Sequence, residues 1–187
     1  MTFVIDTSAT RWSVAVVNGV GSRTLLESTE RPDLGRVFRQ IERPTCIAVA
    51  TGPGSFTGLR VGISFALGLA IGLRVPIVPL PSLDLQRARS TVPATAVLEA
   101  GRGRLYFQLP GATPMHGQPA DIPLGYPLVG NISAKTEAAL IDARHRFVPA
   151  EEWRDFAEAA RKLLETAREV PYRNLEVEYM QSFSAPR

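Results

Sequence analysis

The stretch Ala50-Thr51-Gly52-Pro53-Gly54-Ser55-Phe56-Thr57-Gly58-Leu59-Arg60 leads into residues 61–73, which carry no charge before Arg74. A glycine-rich turn here opens a helix that is apolar on nearly every face. A surface helix ordinarily shows one apolar stripe and one polar face. A helix apolar all round must be covered all round, so one side packs on the chain's own sheet and the other calls for a partner. Spanning a bilayer takes about 20 apolar residues, more than the run between Arg60 and Arg74 supplies. Gly58, Gly62, Ala66 and Ala70 recur every fourth position, which on a helix makes a smooth stripe where another helix can approach closely. Leu59, Ile63, Leu67 and Ile71 form a bulky ridge beside it. The candidate interface is therefore Gly58, Leu59, Gly62, Ile63, Phe65, Ala66, Leu69 and Ala70. The pattern equally suits the central core helix of a small α/β protein, and the two readings are compatible.

A chain of 187 residues suffices for one large domain or two small ones. Hydrophobic content of 45% and charged content of 21% are those of an ordinary globular protein. The net charge of +3 allows nucleic-acid contact without arguing for it, because the basic residues are scattered. Cys46 is the single cysteine, so neither an internal disulfide nor a cysteine-rich metal site is available. It lies in an apolar run and reads as a small buried residue. The N-terminus has no basic region and no long apolar core, so no signal peptide is expected and the expected location is cytoplasmic.

Periodicity and turn signals predict strands over residues 2–5, 12–17 and 22–27, the last two joined by an Asn18-Gly19 hairpin. A helix over 33–42, a buried strand over 46–50, the apolar helix over 56–73 and a strand over 76–80 follow. Ser82 is expected to cap a helix running to Arg89. The order β-β-β-α-β-α-β-α, an antiparallel meander continuing into parallel βα units, is that of an α/β ribonuclease H-like half-domain, which sugar kinases and actin use twice. Residues 1–93 are expected to form the N-terminal half-domain and 94–187 a smaller C-terminal one, with the tail able to pack back on the first. In the second part, a hairpin turns about Gly101 and Gly103, residues 110–127 form a proline-rich loop with short irregular strands, and a strand falls within 126–132. Helices are expected over 133–141 and 151–168. The latter places Trp153, Phe156, Ala157, Ala160, Leu163, Leu164 and Ala167 along one face.

The chemistry is sparse. Asp6, Thr7 and Ser8 follow the first strand where nucleotide-binding members of this fold class handle metal and phosphate. No glycine lies between Asp6 and Trp12 to let the backbone approach a phosphate, so the turn reads as vestigial. Gly52-Pro53-Gly54-Ser55 precedes a helix but lacks the Gly-Lys-Ser/Thr ending of a phosphate loop, and Ser55 or Thr57 serves more simply as a cap. His116 and His145 sit in no metal-ligand spacing, and there is no Gly-x-Ser-x-Gly elbow. A nucleotide-binding ATPase or phosphotransferase with Asp6 placing a metal is the alternative reading, and a peptidase a remote one.

Three places carry a resemblance to a known family: Ile5-Asp6-Thr7-Ser8 before residues 12–17, the motif Gly52-Pro53-Gly54-Ser55-Phe56-Thr57-Gly58-Leu59-Arg60-Val61-Gly62 continuing to Ser82-Leu83, and Val97-Leu98-Glu99-Ala100-Gly101-Arg102-Gly103-Arg104-Leu105-Tyr106. Together they cover most of residues 1–108. The chain resembles the TsaB (YeaZ) family, the bacterial partner of TsaD, which makes threonylcarbamoyladenosine on transfer RNA. The resemblance implies two half-domains of the ribonuclease H-like/actin-like class and a scaffold without catalysis. It also implies association through the helix matching residues 56–73, as a homodimer when alone or as a heterodimer with TsaD. TsaE joins that pair as a third member, and any ATP belongs to the partner. No cofactor, no catalytic residue and no metal are expected on this chain, and tRNA is met only indirectly. The chain departs from the family pattern at Glu30-Arg31-Pro32-Asp33-Leu34-Gly35, where members carry a histidine-led helix. A C-terminal signature is only echoed, at Tyr179-Met180-Gln181.

Overall fold

The computed structural model describes residues 1–19 and 21–178, so the echo at Tyr179-Met180-Gln181 lies outside the described residues. A first sheet is built from β1 (Thr2–Asp6), β2 (Trp12–Asn18), β3 (Gly21–Ser28), β4 (Cys46–Gly52) and β5 (Ile77–Pro81), in the order β3-β2-β1-β4-β5. The meander β1-β2-β3 is antiparallel, and β4 and β5 add in parallel. Alternation along the strands sorts their side chains to two faces. Phe3, Ile5, Val14, Val16, Ile47 and Val49 pack under α1 (Leu34–Phe38) and α2 (Phe56–Leu73). Val4, Ala15, Ala48, Ala50 and Leu80 point the other way, toward α3 (Ser82–Ala88) and α5 (Phe156–Leu164).

A second sheet has β6 (Thr95–Gly101), β7 (Arg104–Gln108), β8 (Met115–Gly117) and β9 (Leu128–Val129) in the order β8-β7-β6-β9. One face carries a core of Val97, Leu105, Phe107 and Leu128, into which Leu140 of α4 (Ala134–Asp142) is buried. The other carries Ala96, Leu98 and Tyr106 against Leu83. α3 thus stands between the sheets, giving Leu85 to the first core and Leu83 to the second.

Several elements differ from the sequence expectation. α1 ends at Phe38 rather than at residue 42, because Gln40 and Ile41 donate to the carbonyls of Val37 and Phe38 and tighten the chain into i→i+3 turns. Ser82 is the first helical residue of α3 and not its cap; its hydroxyl accepts instead from the Gly52 N–H across the sheet end. The strand expected within 126–132 shrinks to β9. The predicted helix over 151–168 is divided. Residues 150–152 make a 3-10 turn, and α5 starts only after Asp155, whose carboxylate accepts from the Ala157 N–H. The cause is Arg154, whose guanidinium bonds the carbonyls of Ala88 and Ser90 and holds the chain extended before the cap. Trp153 therefore leaves the α5 face and packs with Ala94, Val129 and Val148.

α2 runs over the predicted span, from Ser55, whose hydroxyl accepts from the Gly58 N–H, to Arg74 in the left-handed region at φ 57°. Val75 N–H reaches the Ala70 carbonyl and Arg74 N–H that of Ile71, the paired bonds of a Schellman end. Counted over all 18 residues, with a mean hydropathy of 1.7, the helix is long and apolar enough to cross a membrane by length and composition alone, which corrects the expectation drawn from the shorter uncharged run between Arg60 and Arg74. Its inner face, however, is locked to the first sheet. Leu59 and Ile63 are buried, each contributing about 1.5–3 kcal/mol. Gly58 and Gly62 let the helix backbone close onto Thr7, whose carbonyl and hydroxyl oxygens occupy the space a Cβ would need. Thr7 Oγ1 donates to the Gly58 carbonyl at 2.7 Å. Gly58→Ala should therefore lower unfolding free energy by at least about 2 kcal/mol. Gly68→Ala, where a Cβ meets open space, should raise it by up to about 1 kcal/mol. Urea denaturation of the two variants checks both signs.

Candidate functional site

The structure divides the predicted interface residues by depth. Gly58, Leu59, Gly62, Ile63, Ala66 and Ala70 are all buried, facing the chain's own sheet. Phe65 and Leu69 are partly buried on the flank of the same core. The small-residue stripe is thus the contact between α2 and β1 and its following turn, not a surface open to a second chain. The physical reason is the same for both uses: a side-chain-poor face lets another backbone come close, and here the first sheet supplies that backbone. The outward face is formed by Phe56, Arg60, Val61, Ser64, Gly68 and Ile71. Phe56, Val61 and Ile71 are 42%, 40% and 56% exposed, which is high for large apolar side chains on one helix. The Arg60 guanidinium lies 3.8 Å from the centre of the Phe56 ring and extends this face rather than interrupting it. Gly68 and Gly72 are exposed with nothing near their missing Cβ atoms, leaving the helix backbone bare between the apolar side chains.

The turn after β1 is engaged internally. Asp6 is 1% exposed. Its Oδ1 accepts from the Ser8 N–H at 2.9 Å and the Ser8 hydroxyl at 2.6 Å, and its Oδ2 accepts from Gln86 Nε2 at 3.3 Å. The Ser8 carbonyl takes the Ser55 N–H, joining this turn to the start of α2. Asp6, Thr7 and Ser8 are therefore brought together, but as the joint that seats α2 and α3. Burial pushes the Asp6 carboxyl above its ordinary value, and the bonds from Ser8 and the nearby charge of Arg89 oppose this without overcoming it.

Sequence reasoning missed a polar chain that continues from Asp6. Gln86 of α3 donates to Asp6 and accepts the Asn131 N–H at 3.1 Å, so one side chain ties the two sheets. Nearby, Arg89 is buried and forks onto Glu27 of β3 at 2.5 and 3.2 Å. A glutamine and an arginine in an amphipathic helix carry no sequence signal for such a role. Glu99 caps α4 by accepting from Ser133 N–H, Ser133 Oγ and Thr136 Oγ1. Partial burial raises its pKa, but these bonds outweigh that and hold it below the usual value. The two histidines are apart. The His145 ring meets the Pro119 carbonyl, and His116 packs on Tyr106 beside Arg104. Among the described residues, no three His, Cys, Asp or Glu side chains gather as a metal-holding group. Cys46 is half-buried, and burial raises its thiol pKa.

A group whose pKa is raised on folding favours the fold most below its unfolded value. That stability is lost as pH rises from the ordinary carboxylate range, 3.8 for Asp6, through the elevated folded value. The unfolding free energy of the wild type relative to Asp6→Asn should therefore decline as pH rises from 4 toward 7, about in step with Asp6 ionisation. Chemical denaturation of both proteins across that range measures the difference.

The family model described as TsaD, tRNA N6-adenosine threonylcarbamoyltransferase, matches residues 38–125. A tRNA threonylcarbamoyladenosine biosynthesis protein TsaB from Haemophilus influenzae is 30% identical over 122 residues, covering 55% of this chain and 50% of that protein. The TsaB of Escherichia coli is 28% identical over 119 residues, covering 55% and 52%. The chain thus spans about half the length of these curated relatives. Among solved structures, one titled as an uncharacterized protein with similarity to peptidase YeaZ from Pseudomonas aeruginosa has a TM-score of 0.73 at 17% identity, covering 96% of this chain and 99% of that one. YeaZ from Pseudomonas aeruginosa has a TM-score of 0.58 at 20% identity, covering 67% and 71%. At these identities the structures support the fold: mixed α/β with two sheets.

Proposed function

The chain belongs to the TsaB/YeaZ family, and from that premise we propose that it is the non-catalytic subunit that binds and stabilises TsaD in threonylcarbamoyladenosine modification of tRNA. The observation that carries the reading is the outer face of α2. It presents Phe56, Val61 and Ile71 with bare backbone at Gly68 and Gly72, on a helix whose inner face is already committed to the first sheet. A helix held this firmly presents a preorganised surface, so docking a partner helix costs little ordering. The interface is thus assigned to the outward residues, with Phe65 and Leu69 at its margin, and Gly58, Gly62, Ala66 and Ala70 support it from below.

In this reading the fold is the ribonuclease H-like/actin-like class, with half-domains at 1–93 and 94–187. The antiparallel meander followed by parallel βα units in the first sheet supports it. α5, although late in the chain, packs back on the first sheet. The same α2 surface serves a homodimer when TsaD is absent, TsaE joins the pair, tRNA is met through the partner, and the complex works in the cytoplasm. The turn at Asp6, Thr7 and Ser8 holds the fold together rather than a nucleotide, since Asp6 has both oxygens engaged within the chain.

The test is size-exclusion chromatography with light scattering on this chain mixed with TsaD of the same organism. A one-to-one complex is expected, lost in Gly68→Arg with the melting temperature of the isolated chain not lowered, since position 68 is open and glycine is the poorer helix former. Gly62→Arg should instead unfold the chain, because Thr7 fills the space beyond it. A Gly68→Arg chain that still pairs normally would rule out the outer face of α2.

A further inference from the structure

Between its two capping residues α2 carries a single charge, and it is positive. Arg60 is exposed on the outward face, in line with Ser64, Gly68 and Ile71. Its guanidinium lies over the Phe56 ring at 3.8 Å, about one turn nearer the N-terminus. A cation over an aromatic ring is held there by the ring's electrons, so the side chain is placed before any partner arrives. The ring does not answer its charge. None of the ion pairs among the described residues includes Arg60, and its guanidinium makes no hydrogen bond to them. The group that satisfies such a planar fork of N–H donors best is a carboxylate.

The helical layer does not supply that carboxylate itself. No Asp or Glu falls within α2, nor within α1, which packs on the same face of the first sheet. With the turns that bound them, the two helices bring Arg36, Arg39, Arg43, Arg60 and Arg74 against Asp33 and Glu42. Asp33 is already engaged, accepting from the Arg36 N–H and standing 3.9 Å from Arg39. Arg60 also sits between Phe56 and Val61, the apolar side chains that a docked helix must cover. Covering them strips water from the guanidinium, and a desolvated charge without a counter-charge is costly. A second copy docking through its own α2 brings another Arg60 and no carboxylate. A helix with an Asp or Glu opposite Arg60 turns the same desolvation into a charge-assisted bond. We propose, resting on the reading of α2 as the docking face, that Arg60 is its specificity-determining residue. The face fits a helix of a different chain that lays a carboxylate on the Arg60 guanidinium, and it pairs with a second copy of itself more weakly. Phe56 is the positioning residue, holding the guanidinium where the carboxylate arrives.

Analytical ultracentrifugation of the whole chain, alone and mixed with TsaD of the same organism, tests the proposal. Arg60→Met keeps an apolar stem beside the Phe56 ring and removes the charge. It should weaken the TsaD complex at least about tenfold, while self-association stays as strong or grows stronger. Arg60→Lys, which restores the charge without the fork, should recover part of the loss. Raising salt from about 0.05 to 0.5 M should weaken the wild-type complex more than the Arg60→Met complex, because the pair it screens is missing from the variant. A merely structural role for Arg60 would move the melting temperature of the isolated chain and leave that salt dependence unchanged. The proposal is overturned by equal affinity for TsaD in Arg60→Met, by a parallel loss of TsaD binding and self-association, or by the same salt dependence in both complexes. A wild-type chain that does not bind TsaD at all overturns the docking reading along with it, whereas wild-type binding indifferent to Arg60→Met overturns this inference alone.

Discussion

The seating of α2 on Thr7 is the constraint from which the rest of the molecule follows. With glycine at positions 58 and 62, the helix backbone reaches the Thr7 carbonyl and hydroxyl, and the Thr7 hydroxyl closes a bond to Gly58. That contact fixes the turn after β1, and the turn in turn holds Ser55 at the head of α2 and Asp6 against α3. A cap, a core helix and an inter-sheet joint are thus tied to one close approach. Because it depends on atoms that are absent, no larger side chain can substitute for it.

The same approach settles which way α2 can serve a partner. A helix uniformly apolar leaves its orientation undecided until something claims one side. The first sheet claims the small-residue stripe, so the larger exposed side chains Phe56, Val61 and Ile71 become the outer surface. Three of the exposed large apolar side chains thus share one strip of one element, while others, Leu124 and Ile141 among them, lie elsewhere on the surface.

The first half of the fold was legible in the sequence because its signals are local and strong. The Asn18-Gly19 turn marked the hairpin, and short apolar runs rich in β-branched residues marked β1, β2 and β4. The span of α2 was marked by Ser55 and by the arginine that ends it. Long-range effects were not legible. Nothing in Arg154 announces that it will bind carbonyls near residue 89 and cut short the helix predicted to begin at Glu151. The stripe of Gly58, Gly62, Ala66 and Ala70 correctly signals close packing, but spacing alone cannot say whether the other backbone comes from the same chain. Gln86, Arg89 and Asn131 stayed hidden because polar residues in helices and loops are ordinarily solvated, and only the tertiary structure ties Gln86 to Asp6 and Asn131 and Arg89 to Glu27.

β5 closes one border of the first sheet, and an unpaired border offers a row of N–H and C=O groups to any strand that arrives. Pro79 and Pro81 remove two donors from it. Val170, arriving from beyond α5, takes the Ile77 carbonyl at 3.0 Å. Tyr172 then anchors that returning segment by donating to the Val75 carbonyl at 2.8 Å. The segment after α5 therefore acts as a selvedge, finishing the sheet so that growth by strand addition stops at the β5 border.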